Sequence, residues 1–202
     1  VKVQPVDFDY PIEIKNGKLD FSNSDLLLDS FTGKILSSSF SMNGRIKSYL
    51  KTIFEDEPLS FDADLKMDKM ILDEFVSDTT SHESSEYQFN LPKSIRLKTN
   101  LELGEFRFRK FIANQVVGQM SLNHQELSFK NVSMNTCDGT AHIVGVVNAE
   151  KPDKILFNCS SDFQNIDAEK AFAQFENFGQ DVLLQKHVKG RISLKSILRA
   201  ES

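Results

Sequence analysis

The chain has 202 residues, of which 40% are hydrophobic and 26% charged, enough for one large domain or two repeated units of about 100 residues. Its net charge of -5 and pI near 5.4, with Lys and Arg scattered rather than clustered, argue against a surface that tracks nucleic-acid phosphates. No run approaches the ~18 apolar residues of a membrane helix, and no basic, apolar, small-residue signal opens the chain.

In chain order the predicted strands are Ile12–Leu19, Thr32–Asn43, Gly44–Phe54, Phe106–Ala113, Val116–Leu122, Leu127–Asn135, Thr140–Asn148 and Val188–Leu194. Three further runs alternate strictly: Leu59, Phe61, Ala63, Leu65 and Met67; Ile95, Leu97, Thr99, Leu101 and Leu103; and Ile155, Phe157, Cys159, Ser161 and Phe163. Period two places each set on one face of a strand, with the intervening polar residues in water. That pattern marks antiparallel sheet with one solvated face.

Turn signals occur at Asn16-Gly17, Asn43-Gly44, Asp138-Gly139 and Lys151-Pro152-Asp153, the last three reading as tight connections between successive strands. Two short helices are predicted. One runs from Asp68 through Ile71, Leu72 and Phe75. The other has Asp167 as its cap, Ala168, Ala171, Phe172 and Phe175 at helical spacing, and Gly179 closing it. The polar stretch between Ser77 and Ser94 reads as a connector.

The pattern Lys18-Leu19-Asp20-Phe21-Ser22-Asn23 recurs as Glu126-Leu127-Ser128-Phe129-Lys130-Asn131, and each copy closes on one of the short helices. The chain therefore divides into a first β-rich unit at 1–77, a polar connector at 78–94 and a second β-rich unit at 95–202. The predicted fold is mainly β: a strongly curved antiparallel meander with two short helices, its two repeated units forming a trough or folded sheet.

No chemistry is written in the usual motifs. His82, His124, His142 and His187 stand in unrelated contexts, without partners at metal-ligand spacing. Glycine loops for phosphates and the G-x-S-x-G nucleophile turn do not occur. The Glu55-Asp56-Glu57 and Asp73-Glu74 carboxylates lie in polar segments that offer no apolar pocket to shift a pKa. Cys137 and Cys159 make no disulfide framework; a bond between the two stays open, with buried free thiols the favoured expectation. The reading is a non-enzyme with no cofactor and no metal site.

Composition points elsewhere. Seventeen Phe, three Tyr and no Trp supply apolar bulk with few polar handles. Leu59, Phe61, Leu65, Met67, Ile155, Phe157 and Phe163 would share one curved face. That face is either a groove for lipid acyl chains or a packed core, and the residues fit both.

The order of Asn90-Leu91-Pro92, Val117-Gly118-Gln119-Met120-Ser121-Leu122, Cys137-Asp138-Gly139, Asn165-Ile166-Asp167 and Val188-Lys189-Gly190-Arg191-Ile192-Ser193-Leu194 resembles the C-terminal region of the AsmA family. The resemblance covers Leu91 to Leu198 and, more loosely, Asn16 to Val76. It implies a periplasmic segment of an inner-membrane-anchored cell-envelope protein concerned with outer-membrane biogenesis and phospholipid transport. Its partners would be phospholipid or another lipid and the neighbouring repeats of a longer parent chain. The competing expectation is a self-packed scaffold for outer-membrane assembly, without a lipid ligand.

Overall fold

The computed structural model describes residues 1–4, 10–55, 57–75, 91–151, 154–182 and 184–201. Its strands form one 11-stranded sheet in which spatial order follows sequence order. The strands β1 (Lys2–Val3), β2 (Ile12–Phe21), β3 (Leu26–Ile35) and β4 (Ser38–Lys47) precede a short helix α1 (Tyr49–Glu55) and β5 (Leu59–Ile71). A single 3-10 turn at Leu72–Glu74 follows. Then come β6 (Ile95–Phe108), β7 (Phe111–Asn123), β8 (Glu126–Thr136), β9 (Gly139–Lys151) and β10 (Lys154–Asp167). The helix α2 (Ala168–Gln174) and β11 (Arg191–Glu201) complete the order. The sheet is mainly antiparallel, curved and not closed on itself.

One pairing departs from the antiparallel meander. β5 and β6 run parallel, from Leu59↔Ile95 to Ile71↔Arg107. Parallel neighbours need a crossover of a dozen residues or more, and residues 72–94 supply it. Residues 78–90 of the expected connector lie outside the described residues. Through β5–β6 the two expected units join one uninterrupted sheet.

The turns differ from the sequence expectation for local physical reasons. Asn16-Gly17 lies inside β2, where the register breaks on both sides of Asn16. A Cβ on Gly17 would sit 2.7 Å from the Phe31 ring, so the glycine serves a close approach rather than a turn. Asn43-Gly44 lies inside β4, where Asn43 Oδ1 accepts a 2.7 Å bond from the Ser30 backbone N–H. The tight connection expected at Asp138-Gly139 is present, its turn at Cys137-Asp138 with Gly139 opening β9, and hairpins that carried no turn signal lie at Leu36-Ser37, Arg109-Lys110 and His124-Gln125. Two of these turns, His124-Gln125 and Cys137-Asp138, are alike in backbone. In each of them both residues have positive φ, which matches strand twist, and His124-Gln125 does so without an Asn-Gly or Asp-Gly signature. Of the Lys151-Pro152-Asp153 signal, Pro152 and Asp153 lie outside the described residues.

The elements shift accordingly. The strand expected at Gly44–Phe54 stops at Lys47 and gives way to α1. The helix expected from Asp68 is the end of β5, because Lys69, Met70 and Ile71 pair with β6. The strand expected at Val188–Leu194 begins at Arg191 and extends to Glu201. At α2 the expected start holds, since Asp167 Oδ1 accepts a 2.9 Å bond from Lys170 N–H as the cap, but the end does not: the helix stops at Gln174 with Phe175 as its C-cap, and Gly179, φ +68°, ends a separate 3-10 turn at Glu176–Gly179.

Curvature has a visible cause. Registers shift at Leu28/Phe31, Asn114/Val117, Phe129/Val132 and Phe163/Ile166. Each shift contains a residue with positive φ: Ser30, Gln115, Asn131 and Asn165. Such bulges bend a strand and increase its twist, so the sheet curls where they lie.

Candidate functional site: one apolar face with two unlike ends

Residues opposite one another in neighbouring strands share a face. The registers therefore join the alternating runs into one apolar surface. Met42, Leu65, Leu101 and Gly118 lie across from one another on β4 to β7. On β8 to β11, Phe129 meets Gly145, Gly145 meets Cys159 and Cys159 meets Leu198. Leu59, Phe61, Leu65, Met67, Phe157 and Phe163 all belong to this face, as period two predicts; β10 shifts register between Lys154 and Leu156, and Ile155 packs with the apolar set.

Its two ends differ. Toward α2, Met67, Leu101, Leu103, Ala113, Val116, Val132, Met134 and Ala141 form a buried core, with Ile35, Phe40, Leu65, Phe106, Phe111 and Phe163 packed against it. The helix then covers this end. Ala171 joins Ile166 and Cys137 in a second cluster, and the Phe175 ring lies 5.3 Å from Phe111 and 6.3 Å from Phe163. Phe178 stacks on Phe175 at 5.4 Å.

Toward the other end, cover is partial. Leu91 packs onto Leu122 and Ala149, with Leu97, Leu127 and Ile155 around it. Gln125 holds that segment in place, its buried amide donating a 3.1 Å bond to the Leu91 carbonyl. Leu59, Phe61, Ala63, Met120, Val147 and Phe157 remain half-buried beyond these clusters. The rim there is greasy: Phe21, Ile53 and Phe54 are 69%, 65% and 79% exposed. In α1, Leu50, Ile53 and Phe54 fall at i, i+3 and i+4, one helix face.

The seven candidate residues thus separate into three groups. Met67 is core, with Leu65 and Phe163 packed on it. Ile155 belongs to the Leu91 cluster. Leu59, Phe61 and Phe157 line the half-open stretch. Sequence reasoning missed Met120 and Val147, which join that stretch through strand pairing alone.

The opposite face is polar. A shallow groove of about 750 Å³ crosses it between β3 and β8, lined by Asn43, Arg45, Lys47, Asp62, Asp64, Lys98, Asn100 and Gln119 among others. A twisted sheet is saddle-shaped, so this face is also concave along one diagonal. Its polar groups engage one another: Lys47 pairs with Asp62, and Asn100 bridges Asp64 at 2.7 Å and Gln119 at 3.3 Å.

Titratable groups add little chemistry. Burial pushes the Cys137 thiol up, and the Cys159 thiol likewise; both are free. The hydrogen bond from Lys170 Nζ, 2.5 Å away, holds Asp138 below the usual carboxylate range and in turn raises Lys170. His142 is exposed, His124 occupies a hairpin turn, and His187 Nδ1 accepts from the Leu184 N–H at 3.3 Å. His82 lies outside the described residues. Among the described residues no three His, Cys, Asp or Glu are grouped to hold a metal ion. No family model, curated protein or solved structure matches the chain.

Proposed function

We propose that the half-open stretch of the apolar face, around Leu59, Phe61, Met120, Val147 and Phe157, receives the acyl chains of a lipid. The observation that carries this reading is the contrast along a single face: its own side chains and α2 fill one end, whereas the other is left half-covered. Each methylene moved from water onto such a surface gains about 0.8 kcal/mol, so a long acyl chain has ample driving force without any polar recognition. The exposed Phe21, Ile53 and Phe54 at the same end suit approach to a bilayer surface.

With the AsmA resemblance, the role becomes that of a non-catalytic periplasmic segment of an inner-membrane-anchored envelope protein. It would guide phospholipid during outer-membrane biogenesis. The alternative, a self-packed scaffold, draws on the buried core around Leu103 and Val116.

Native mass spectrometry of the purified chain, followed by solvent extraction, tests the choice. Stoichiometric lipid that survives gel filtration supports the groove. A ligand-free mass, with no uptake of added labelled phospholipid, supports the scaffold.

A further inference from the structure

Among the described residues β11 is the last strand of the sheet and pairs with β10 alone, from Leu156↔Glu201 to Asp167↔Arg191. Its other edge presents backbone N–H and C=O groups over eleven residues, with Ile197 70% and Leu198 55% exposed. Long strand edges of this kind are templates for a further strand. At the opposite edge β1 is two residues long and pairs with β2 at Ile12 and Glu13.

We propose that β11 pairs antiparallel with β11 of a second copy of this chain, about a two-fold axis at Ser196. The strand is complementary to itself in that register. On the apolar face Leu194 meets Leu198 of the second copy, Ile192 meets Ala200, and Ser196 meets Ser196. On the polar face Arg191 meets Glu201 of the second copy, twice by symmetry, while Ser193 meets Arg199 and Lys195 meets Ile197.

Other registers are worse. A one-residue slip sets apolar side chains on the polar face. Centring the axis on Lys195 opposes Lys195 to itself and Arg191 to Arg199, and centring it on Ile197 opposes Lys195 to Arg199. Like charges directly opposite one another destabilise a pair of strands. Centring on Leu194 or Leu198 avoids this but pairs a shorter part of the strand.

Each of these charges already has a partner on the β10 side, which pairing would make it share with the second copy. Arg191 Nη1 donates to the Asp138 and Asn165 carbonyls at 3.0 and 2.8 Å. Asp162 lies 3.5 Å from Lys195 Nζ and offsets its charge near the axis. Glu201 lies 2.5 Å from Lys154 and would share its carboxylate with Arg191 of the second copy. The interface is isologous and closes at two copies, and it carries the apolar face of one copy into that of the other. It does not depend on the lipid reading.

Sedimentation of the full chain over a range of concentrations, with charge reversal, tests it. Arg191→Glu and Glu201→Arg each turn two opposite-charge pairs into two like-charge pairs, and each should weaken self-association by about tenfold or more. Mixing the two variants restores opposite charges at both positions and should give a heterodimer as tight as the original. Circular dichroism checks that each variant is folded. As a second route, Ser196→Cys in a Cys159→Ser background should form a disulfide between copies on oxidation. A chain that stays monomeric overturns the proposal. So does a dimer indifferent to both reversals and to mixing, or one in which the Ser196→Cys protein gives no cross-link.

Discussion

Aspartate substitution separates a groove from a core at the level of single side chains. Leu103 is 4% exposed among Met67, Leu101, Val116 and Val132. A carboxylate there has no partner, and burying an unpaired charge costs more than a domain's usual net stability of about 5–15 kcal/mol can spare. Leu103→Asp should therefore fail to fold. Phe61 and Phe157 are only half-buried and outside the clusters, so aspartates there can keep their hydration. The cost is the partial burial each ring loses, roughly 1–2 kcal/mol apiece against ~1.5–3 for a fully buried side chain. The Phe61→Asp/Phe157→Asp double variant should keep its β-type circular dichroism, unfold cooperatively at lower urea, and lose lipid uptake in native mass spectrometry. If it collapses as Leu103→Asp does, those rings are core and the groove reading is wrong. If it stays folded and binds lipid as before, the acyl chains lie elsewhere.

Four further outcomes are expected. Leu103→Ala should cost about 2–5 kcal/mol in urea unfolding, the usual range for a Leu-to-Ala cavity in a core. Asp167→Ala removes the α2 cap and should cost about 1 kcal/mol, with the loss seen in amide exchange at Ala168–Lys170. Asp138 is depressed in the folded state. Its pair with Lys170 therefore stabilises above the unfolded carboxylate pKa and is lost as pH falls through the lower folded value; Asp138→Asn should flatten that acid limb. Cys159, half-buried on the apolar face, should alkylate faster than the buried Cys137, and added phospholipid should slow Cys159 alone.

The alternation of Leu59 to Met67, Ile95 to Leu103 and Ile155 to Phe163 was enough to give the mainly β architecture and to place side chains on faces, because period two is a property of the strand itself. The Asp167 cap was legible for a similar reason, since a cap and its helix are neighbours in sequence. Turn positions were less so: Leu36-Ser37 and His124-Gln125 lack turn chemistry, and the strands they join impose the backbone on them. Likewise, the parallel β5–β6 pair depends on a crossover whose path no local pattern encodes.

What the sequence by itself determined is that one face of a large sheet is apolar and the other wet. Only the tertiary structure decided where that face is filled and where it is left half-covered. Burial depends on which strands curl toward one another and on where α2 and Leu91 come to rest. Those contacts join residues far apart in the chain, so Phe61 and Met67, alike in their alternating run, end in different surroundings.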